Sequence, residues 1–339
     1  MKDFLRLSVF DVRVLGAVAF AALMAAHLAQ LREVREAARP RIVCGRPGVE
    51  TVSLAVSSDG QWIATCDNRG QVALRALAGT PSAHRVLEFS GFATAVAFSP
   101  NGRVLAGVGF EPVICLWDIT SASSKPLAVV KMPMDRARQA VFSPDGTALA
   151  VSTDRDGTIL VWDLAAQRPR TTLHLASPAV KLAFSPDSRR LAAAENRNEY
   201  AIVLFDIRTG VQRKLLASRR GPVSSLTFSP DGAALASASF YEPYVRLWDL
   251  KKGAGWRRLA VHERSVNSVA FSPDGLLLVT AGNDHAIGLW NAASGKRLAN
   301  LQSDARCLRT IAFAPDGRTV ILATEDDDDI RLWDLTELL

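Results

Sequence analysis

The sequence is poor in the residues that build metal centres and disulfide frameworks. Its 339 residues include only four cysteines and five histidines. The cysteines, Cys44, Cys66, Cys115 and Cys307, lie far apart and form no Cys-x-x-Cys pair, so neither a zinc site nor a disulfide framework is indicated. Scattered cysteines in apolar runs are usually buried free thiols, which favours a reducing compartment. We therefore expect no metal site and no cofactor.

The signature motifs of common enzyme classes are also missing. The sequence has no P-loop, no Gly-x-Gly-x-x-Gly after a strand, no Gly-x-Ser-x-Gly elbow and no His-Glu-x-x-His. The acidic run at 325–329 lacks the alternating spacing and the glycine of a calcium loop, so a solvated turn is favoured. These absences favour a protein without catalytic residues.

The net charge of +6 is not concentrated on the main body of the chain. Residues 1–41 contain seven basic and four acidic groups and so carry half of it. The rest of the chain is close to neutral for its size, which argues against nucleic acid as a partner.

An apolar segment precedes the main body. No charge occurs between Val14 and Leu31, and a helix over 14–31 would span about 27 Å, near the thickness of a bilayer core of about 30 Å. We favour a membrane anchor with a short stalk over 1–39. The alternatives are a helix that packs on protein and, third, a cleaved signal peptide. If the segment spans a membrane, the slight excess of basic residues after it would keep the main domain cytoplasmic. The alternative localisation is that of a soluble cytoplasmic protein.

A turn motif recurs seven times in the rest of the chain, at intervals of 42 to 44 residues. It reads Ser-Pro-Asp-Gly at 143–146, 229–232 and 272–275, with one substitution each at 57–60, 99–102, 185–188 and 314–317. Strand-like runs flank each copy, and proline, aspartate and glycine suit a tight turn. Since Ser188 replaces the glycine, we expect a looser fourth turn. No helical period lies between the copies, so the pattern predicts repeated all-β units.

A second motif follows at the same period. It reads Leu-Trp-Asp-Ile at 116–119, Val-Trp-Asp-Leu at 161–164 and Leu-Trp-Asp-Leu at 247–250 and 332–335. Weaker copies occur at 74–77, 204–207 and 289–292. From about residue 41 to the C-terminus the chain resembles the WD40 repeat family. The resemblance implies a seven-bladed β-propeller of four-stranded blades around a central channel. The predicted fold is therefore all-β, preceded by one N-terminal α-helix.

The family's internal hydrogen-bonded tetrad of His, Ser or Thr, Asp and Trp matches fully in the sixth repeat only. The matching residues there are His262, Thr280, Asp284 and Trp290. We interpret them as a satisfied structural network that orders one blade, not as a catalytic pair.

The last repeat ends after its third strand, which would leave an open edge. We expect a strand over 41–45 to pair with this C-terminal blade, as the family's overlapping closure suggests. The predicted domains are thus a hydrophobic helix and stalk over 1–39 and a propeller over 41–339.

The resemblance places the loops between second and third strands, and those between blades, on one face that commonly binds partners. Exposed arginine and aromatic residues on rigid loops are enriched at binding hot spots. The predicted partner-binding residues are Arg136, Arg138, Arg219, Arg220, Tyr241, Arg264, Arg306, Asp327 and Asp328. We expect a non-catalytic platform that binds other proteins. The alternatives are an enzyme with its active site at the channel mouth and a structural subunit that contacts a membrane complex through the N-terminal helix.

Overall fold

The computed structural model describes residues 40–44, 49–77, 84–134, 136–197, 200–215, 221–251, 255–305, 307–324, 330–336 and 338. The predicted N-terminal helix, with the whole segment 1–39, lies outside the described residues. Within the described ranges, no helix has the length and hydrophobicity of a membrane span.

The described chain forms seven four-stranded antiparallel sheets, which confirms the predicted all-β, seven-bladed propeller. Blade 1 contains β2 (Thr51–Val56), β3 (Trp62–Asp67), β4 (Val72–Ala76) and β5 (His84–Leu87). Blade 2 contains β6 (Ala93–Phe98), β7 (Val104–Gly109), β8 (Val113–Asp118) and β9 (Ala128–Lys131). Blade 3 contains β10 (Ala137–Phe142), β11 (Ala148–Thr153), β12 (Thr158–Asp163) and β13 (Arg168–His174).

The remaining blades repeat this order. Blade 4 contains β14 (Ala179–Phe184), β15 (Arg190–Glu195), β16 (Ile202–Asp206) and β17 (Gln212–Leu215). Blade 5 contains β18 (Val223–Phe228), β19 (Ala234–Ser239), β20 (Tyr244–Asp249) and β21 (Trp256–Val261). Blade 6 contains β22 (Val266–Phe271), β23 (Leu277–Gly282), β24 (Ala286–Asn291) and β25 (Arg297–Gln302). Blade 7 contains β26 (Leu308–Phe313), β27 (Thr319–Thr324), β28 (Ile330–Asp334) and β1 (Arg41–Cys44).

Blade 7 is built from both ends of the described chain. Strand β1 pairs antiparallel with β28, with Arg41 opposite Leu332 and Ile42 opposite Arg331. Without β1, the backbone groups of β28 on that side would form an open sheet edge. The domain boundary between residues 39 and 41 stays a prediction.

The recurrent turn motif joins the first and second strands of each blade. In blade 3 the N–H of Gly146 donates to the carbonyl of Ser143 at 2.8 Å, which closes a tight turn. The Ser143 hydroxyl donates to the Asp145 carboxylate at 2.6 Å and accepts the N–H of Ala148 at 2.9 Å. Gly146 has a φ of +70°, a conformation that costs glycine little. The motif is therefore a self-contained hydrogen-bonded connection.

The fourth turn is not looser than the others, so that expectation was wrong. Ser188 adopts the left-handed conformation of the glycine it replaces, with a φ of +58°. Its N–H donates to the Ser185 carbonyl at 2.8 Å, as in the other turns. Its hydroxyl oxygen also accepts the N–H of Asp145 in the preceding blade at 3.0 Å. This additional bond offsets part of the backbone strain.

The hydrophobic core lies between neighbouring blades. Between blades 3 and 4, for example, Ile159 and Val161 pack with Phe184 and Leu191, and all four are buried. Fully burying a side chain of this size contributes about 1.5–3 kcal/mol. Because each blade covers its neighbour, the ring holds the loops at its two ends in fixed positions.

Candidate functional site

One end of the ring carries the loops between second and third strands and the loops between blades; this end is hereafter the loop face. A cavity of about 640 Å³ opens there. It is lined by the beginnings of the first strands and by loop residues such as Phe110, Asp154 and Phe240. This cavity is hereafter the channel mouth.

A β-bulge at the start of each first strand shapes the channel mouth. In all seven blades the pairing with the second strand shifts register between the first and third residues of the first strand. In a bulge, two residues of one strand lie opposite a single residue of the partner strand, which changes the direction of their side chains. In blades 1, 2, 3, 4 and 7, the second and third residues both line the cavity as a result.

Third-position side chains connect neighbouring blades along the channel wall. In four blades the side-chain oxygen accepts a backbone N–H from the fourth residue of the next first strand. These bonds join Ser53 to Val96 (3.3 Å), Gln139 to Leu182 (2.7 Å), Ser225 to Val269 (3.2 Å) and Ser268 to Ile311 (3.1 Å).

Second-position side chains make a complementary set of bonds. They donate to the carbonyl of the first residue in the next first strand: Thr94 to Ala137 (2.6 Å), Ser224 to Val266 (2.7 Å) and Asn267 to Leu308 (2.8 Å). At the junction of blades 7 and 1, Arg309 lies 3.9 Å from the Glu50 carboxylate. Six of the seven junctions are thereby bridged by first-strand side chains at the channel wall. Within the described ranges, the junction of blades 4 and 5 has Val180 and Lys181 at these positions and no such bridge.

Three cationic side chains share the channel mouth: Arg138 on β10, Lys181 on β14 and Arg309 on β26. Burial lowers the pKa of Lys181 to about 8, and the charges of Arg138 and Arg309 act in the same direction. Asp154 is the one acidic residue among the described residues that line the cavity, and its carboxylate lies 3.2 Å from the Arg136 guanidinium. The described lining of the channel mouth therefore carries excess positive charge.

Aromatic side chains form the rim of the channel mouth. The rings of Phe92 and Phe110 stack with their centroids 5.0 Å apart, and the Arg136 guanidinium lies 4.7 Å from the centre of the Phe110 ring. Across the mouth, Phe240 and its neighbour Tyr241 are 42% and 75% exposed. The loop face thus combines apolar area at its rim with positive charge inside.

The tetrad of blade 6 forms a continuous hydrogen-bonded chain. His262 Nδ1 lies 2.9 Å from Asp284 Oδ1, and His262 Nε2 lies 2.7 Å from Thr280 Oγ1. Trp290 Nε1–H donates to Thr280 Oγ1 at 2.9 Å, so the Thr280 hydroxyl hydrogen is free to point at Nε2. Burial alone would raise the pKa of Asp284, but the Glu263 N–H and His262 outweigh burial and hold that pKa below its usual value. Every polar group of this buried set has a partner.

Comparison with known families identifies the repeats. The family model described as WD domain, G-beta repeat matches residues 79–118, 135–163, 211–249, 256–291 and 295–334, more than half of the chain. The chain belongs to the WD40 family. The matches leave out most of blades 1 and 4, where Arg75 and Phe205 stand in place of the motif tryptophan. These blades nevertheless form the same four-stranded sheets.

Individual WD40 proteins share only part of the chain. The chain is 28% identical over 199 residues to Periodic tryptophan protein 2 homolog of Dictyostelium discoideum, covering 55% of this chain and 20% of that protein. It is 27% identical over 145 residues to Target of rapamycin complex subunit wat1 of Schizosaccharomyces pombe, covering 42% and 45%. It is 30% identical over 151 residues to Small ribosomal subunit protein RACK1 of Neurospora crassa, covering 41% and 46%. Each match therefore spans less than half of the relative.

Four of the nine predicted partner-binding residues are described. Arg138 lines the channel mouth, and Arg136 lies beside it, where Asp154 and Phe110 hold its side chain. Tyr241 and Arg264 are exposed on loops of the same face. The other five lie outside the described residues: Arg219, Arg220, Arg306, Asp327 and Asp328. The role of all nine in partner binding stays a prediction.

Two channel residues, Lys181 and Arg309, were missed by sequence reasoning, although a signal for Lys181 was present. An alignment of the seven first strands has Ser, Thr, Gln or Ala at the third position of six WD40 blades and lysine in blade 4. Because the other six blades form without a lysine at this position, the blade fold does not require the lysine of blade 4.

The third repeat keeps three of the four tetrad residue types without assembling them. Asp156 accepts a hydrogen bond from Thr153 Oγ1 at 2.7 Å instead of joining the network. The buried Ser152 hydroxyl has no hydrogen-bond partner in the described part of the chain. The missing histidine therefore leaves this WD40 blade without a connected tetrad.

Two buried cysteines, Cys66 and Cys115, have thiols with raised pKa values. Burial raises the pKa of the Cys66 thiol to about 12 and also raises that of Cys115. Such thiols stay protonated at neutral pH and are weak nucleophiles. A search of the described ranges finds no group of three or more His, Cys, Asp and Glu side chains placed to hold a metal ion.

Proposed function

We propose that this protein is a non-catalytic platform that binds other proteins through the loop face. One observation carries the proposal: the large side chains of Phe110, Phe240 and Tyr241 are 39%, 42% and 75% exposed on a single face. Aromatic and arginine side chains supply much of the binding energy at protein interfaces. Loops on a rigid scaffold are the usual place for such residues.

The fixed position of Arg136 supports this use of the face. Asp154 and Phe110 hold its side chain, and its N–H donates to the Phe110 carbonyl at 3.2 Å. A side chain that is ordered before binding loses less conformational entropy when a partner arrives. Binding would then rest on shape and charge complementarity, with little rearrangement of the ring.

The names of two relatives support protein partners. One is named as a subunit of the target of rapamycin complex and another as a small ribosomal subunit protein. We extend to this chain only the general property of working within a protein assembly.

The experiment compares two changes that remove exposed apolar area at opposite ends of the ring. The first is the double variant Phe240→Ser and Tyr241→Ala on the loop face; the control is Leu276→Ser, at a 64% exposed position in a turn of the opposite face. We expect the double variant to lose the proteins that the wild-type chain captures from its own cells, at an unchanged Tm. The control should retain them. Equal capture by the double variant would contradict the platform.

The proposal includes a tether over residues 1–39, which lie outside the described residues. It rests on the uncharged segment 14–31, whose helical length is close to that of a bilayer core. We expect the full chain to stay with membranes after carbonate washing and the chain without 1–39 to be released. Release of the full chain by carbonate would contradict the tether and leave the platform standing.

A further inference from the structure

We propose that the channel mouth binds a small phosphate ester of a sugar or polyol, with Arg138, Lys181 and Arg309 around its phosphate group. This inference goes beyond the platform, because it assigns a small-molecule ligand to the interior of the ring and needs no partner protein.

Positive charge converges on the channel mouth. The three cations come from blades 3, 4 and 7 and line one cavity. Each interaction between Lys181 and the two arginines is a like-charge repulsion that the folded chain must tolerate. Asp154 already contacts Arg136, and the Glu50 carboxylate near Arg309 is half exposed to solvent. A bound anion would relieve this repulsion directly.

A lysine at position 181 does not make the contact that this position makes in most blades. In four of the other six blades the matching residue, Ser53, Gln139, Ser225 or Ser268, accepts an N–H from the next blade. A protonated lysine has three donors and no acceptor, so it cannot make this bond. A residue that breaks a repeated structural rule without a compensating contact is a candidate for function.

The chemistry of these cations favours a phosphate group as the anion. Guanidinium groups bind phosphate oxygens through two parallel hydrogen bonds, and an ammonium group adds a point charge. A phosphate monoester carries a charge of about −1.5 to −2 at neutral pH, which suits a site lined by more than one cation. A single carboxylate would neutralise less of this charge.

A buried amide oxygen in the channel mouth favours a ligand that also carries hydroxyl groups. Asn267 lines the channel mouth and is only 7% exposed. Its amide nitrogen donates to the Leu308 carbonyl and to Asn283 Oδ1, which fixes the orientation of the amide. Its Oδ1 is buried and accepts no hydrogen bond from the described residues. A sugar or polyol hydroxyl is a donor that would satisfy it.

The cavity has the right size for such a ligand. Its volume of about 640 Å³ lies within the range of about 300–1,000 Å³ that is typical of small-molecule sites. Arg138, Lys181, Asn267 and Arg309 all lie on first strands, and sites on strands hold their geometry better than sites on loops.

The test is calorimetric titration of the full chain with glucose 6-phosphate, inorganic phosphate, succinate and a triglutamate peptide. We expect glucose 6-phosphate to bind most tightly, ahead of inorganic phosphate. The variants Lys181→Gln and Arg138→Gln should each weaken it about tenfold or more, as loss of one charge-assisted hydrogen bond implies. Lys296→Gln, an exposed lysine at the opposite end of the ring, is the matched control and should change affinity less than about twofold.

Three results would overturn the proposal. One is equal affinity of the wild-type chain and Lys181→Gln for glucose 6-phosphate. Another is binding of succinate or triglutamate as tight as that of the phosphate ester, which would make the site a carboxylate or acidic-peptide site. The third is no heat of binding with any probe at millimolar concentration. The glutamine of Lys181→Gln can accept the N–H of Leu226 in the next blade, so we expect Tm not to fall. A loss of binding in this variant would therefore not reflect misfolding. Because Phe240 lines the channel mouth, the single variant Tyr241→Ala, at a residue outside the described lining, tests the platform separately.

Discussion

At the scale of single residues, Ser188 shows how a side chain can replace the glycine of a repeated turn. It adopts a left-handed backbone conformation and accepts a hydrogen bond from the preceding blade. We expect Ser188→Ala to lose about 1 kcal/mol of unfolding free energy, because it keeps the strained φ and loses the bond. Ser188→Gly should lose less, since glycine relieves the strain. Urea unfolding of both variants checks this, and equal stabilities would contradict it.

The tetrad of blade 6 leads to a second prediction. Asp284→Ala leaves His262 Nδ1 and the Glu263 N–H without their acceptor, so we expect a loss of about 1–3 kcal/mol. The matched control is Asp156→Ala in blade 3, where the aspartate belongs to an exposed turn. A melting temperature of the Asp284 variant equal to wild type would show that the network does not order the blade.

Lys181 gives a pH-dependent prediction. Its pKa is about 8 in the folded chain against an ordinary value of 10.5, because its ammonium group loses hydration in the channel mouth and lies near Arg138 and Arg309. Between these two pH values the unfolded chain binds more protons, so the contribution of Lys181 to stability becomes less unfavourable as pH rises. Below pH 8 its cost is constant. Lys181→Gln should therefore raise the unfolding free energy at pH 7 by up to about 3 kcal/mol.

The measurement is urea unfolding of wild type and Lys181→Gln at pH 7, 8, 9 and 10. The difference between the two should shrink over this range, while Lys296→Gln should follow wild type throughout. A constant difference between the proteins would show that the lysine titrates normally.

At the scale of elements, β1 belongs to a blade whose other strands lie at the far end of the sequence. Its pairing with β28 predicts that two deletions behave differently. Removing residues 1–46 should lower the unfolding cooperativity and solubility of the ring, because the edge of β28 becomes exposed. Removing residues 1–39 should leave the melting transition of the propeller intact. Differential scanning calorimetry compares them, and identical transitions would contradict a closing role for β1.

The repeats made the strands and the seven sheets predictable, because the turn motif and the Trp-Asp motif both recur at one period. Blades 1 and 4 could be placed through this period even though they lack the motif tryptophan. The channel mouth could not be derived in the same way. Alternation of side chains assigns the second and third residues of a strand to opposite sides, and the bulge at Ala137–Gln139 changes this assignment. Arg138 was singled out as a loop-face residue, whereas its convergence with Lys181 and Arg309 depends on how the ring closes.

At the scale of the whole molecule, the junction of blades 4 and 5 differs from the other six. No side chain of blade 4 within the described ranges accepts the N–H of Leu226, whereas Val96, Leu182, Val269 and Ile311 each donate to the preceding blade. We expect the amide of Leu226 to exchange with deuterium faster than those four. In Lys181→Gln the new acceptor should slow it, as Gln139 protects Leu182. Peptide-resolved hydrogen exchange measures both, and an unchanged rate in the variant would contradict this account.

The turns at the end of the ring opposite the loop face determine where a peptide tag can be inserted. A methyl group added at Gly60 would lie 3.4 Å from Pro315, and one at Gly275 would lie 3.3 Å from Pro230, so each of these turns lies close to the turn of the preceding blade. The contact between Gly60 and Pro315 joins the turn of blade 1 to the turn of blade 7, so the row of contacts continues across the closure of the ring. An inserted peptide tag would therefore disturb several blades if placed in a first turn. The turn at Gly210, where an added methyl group meets nothing within 4 Å, is the better point of insertion.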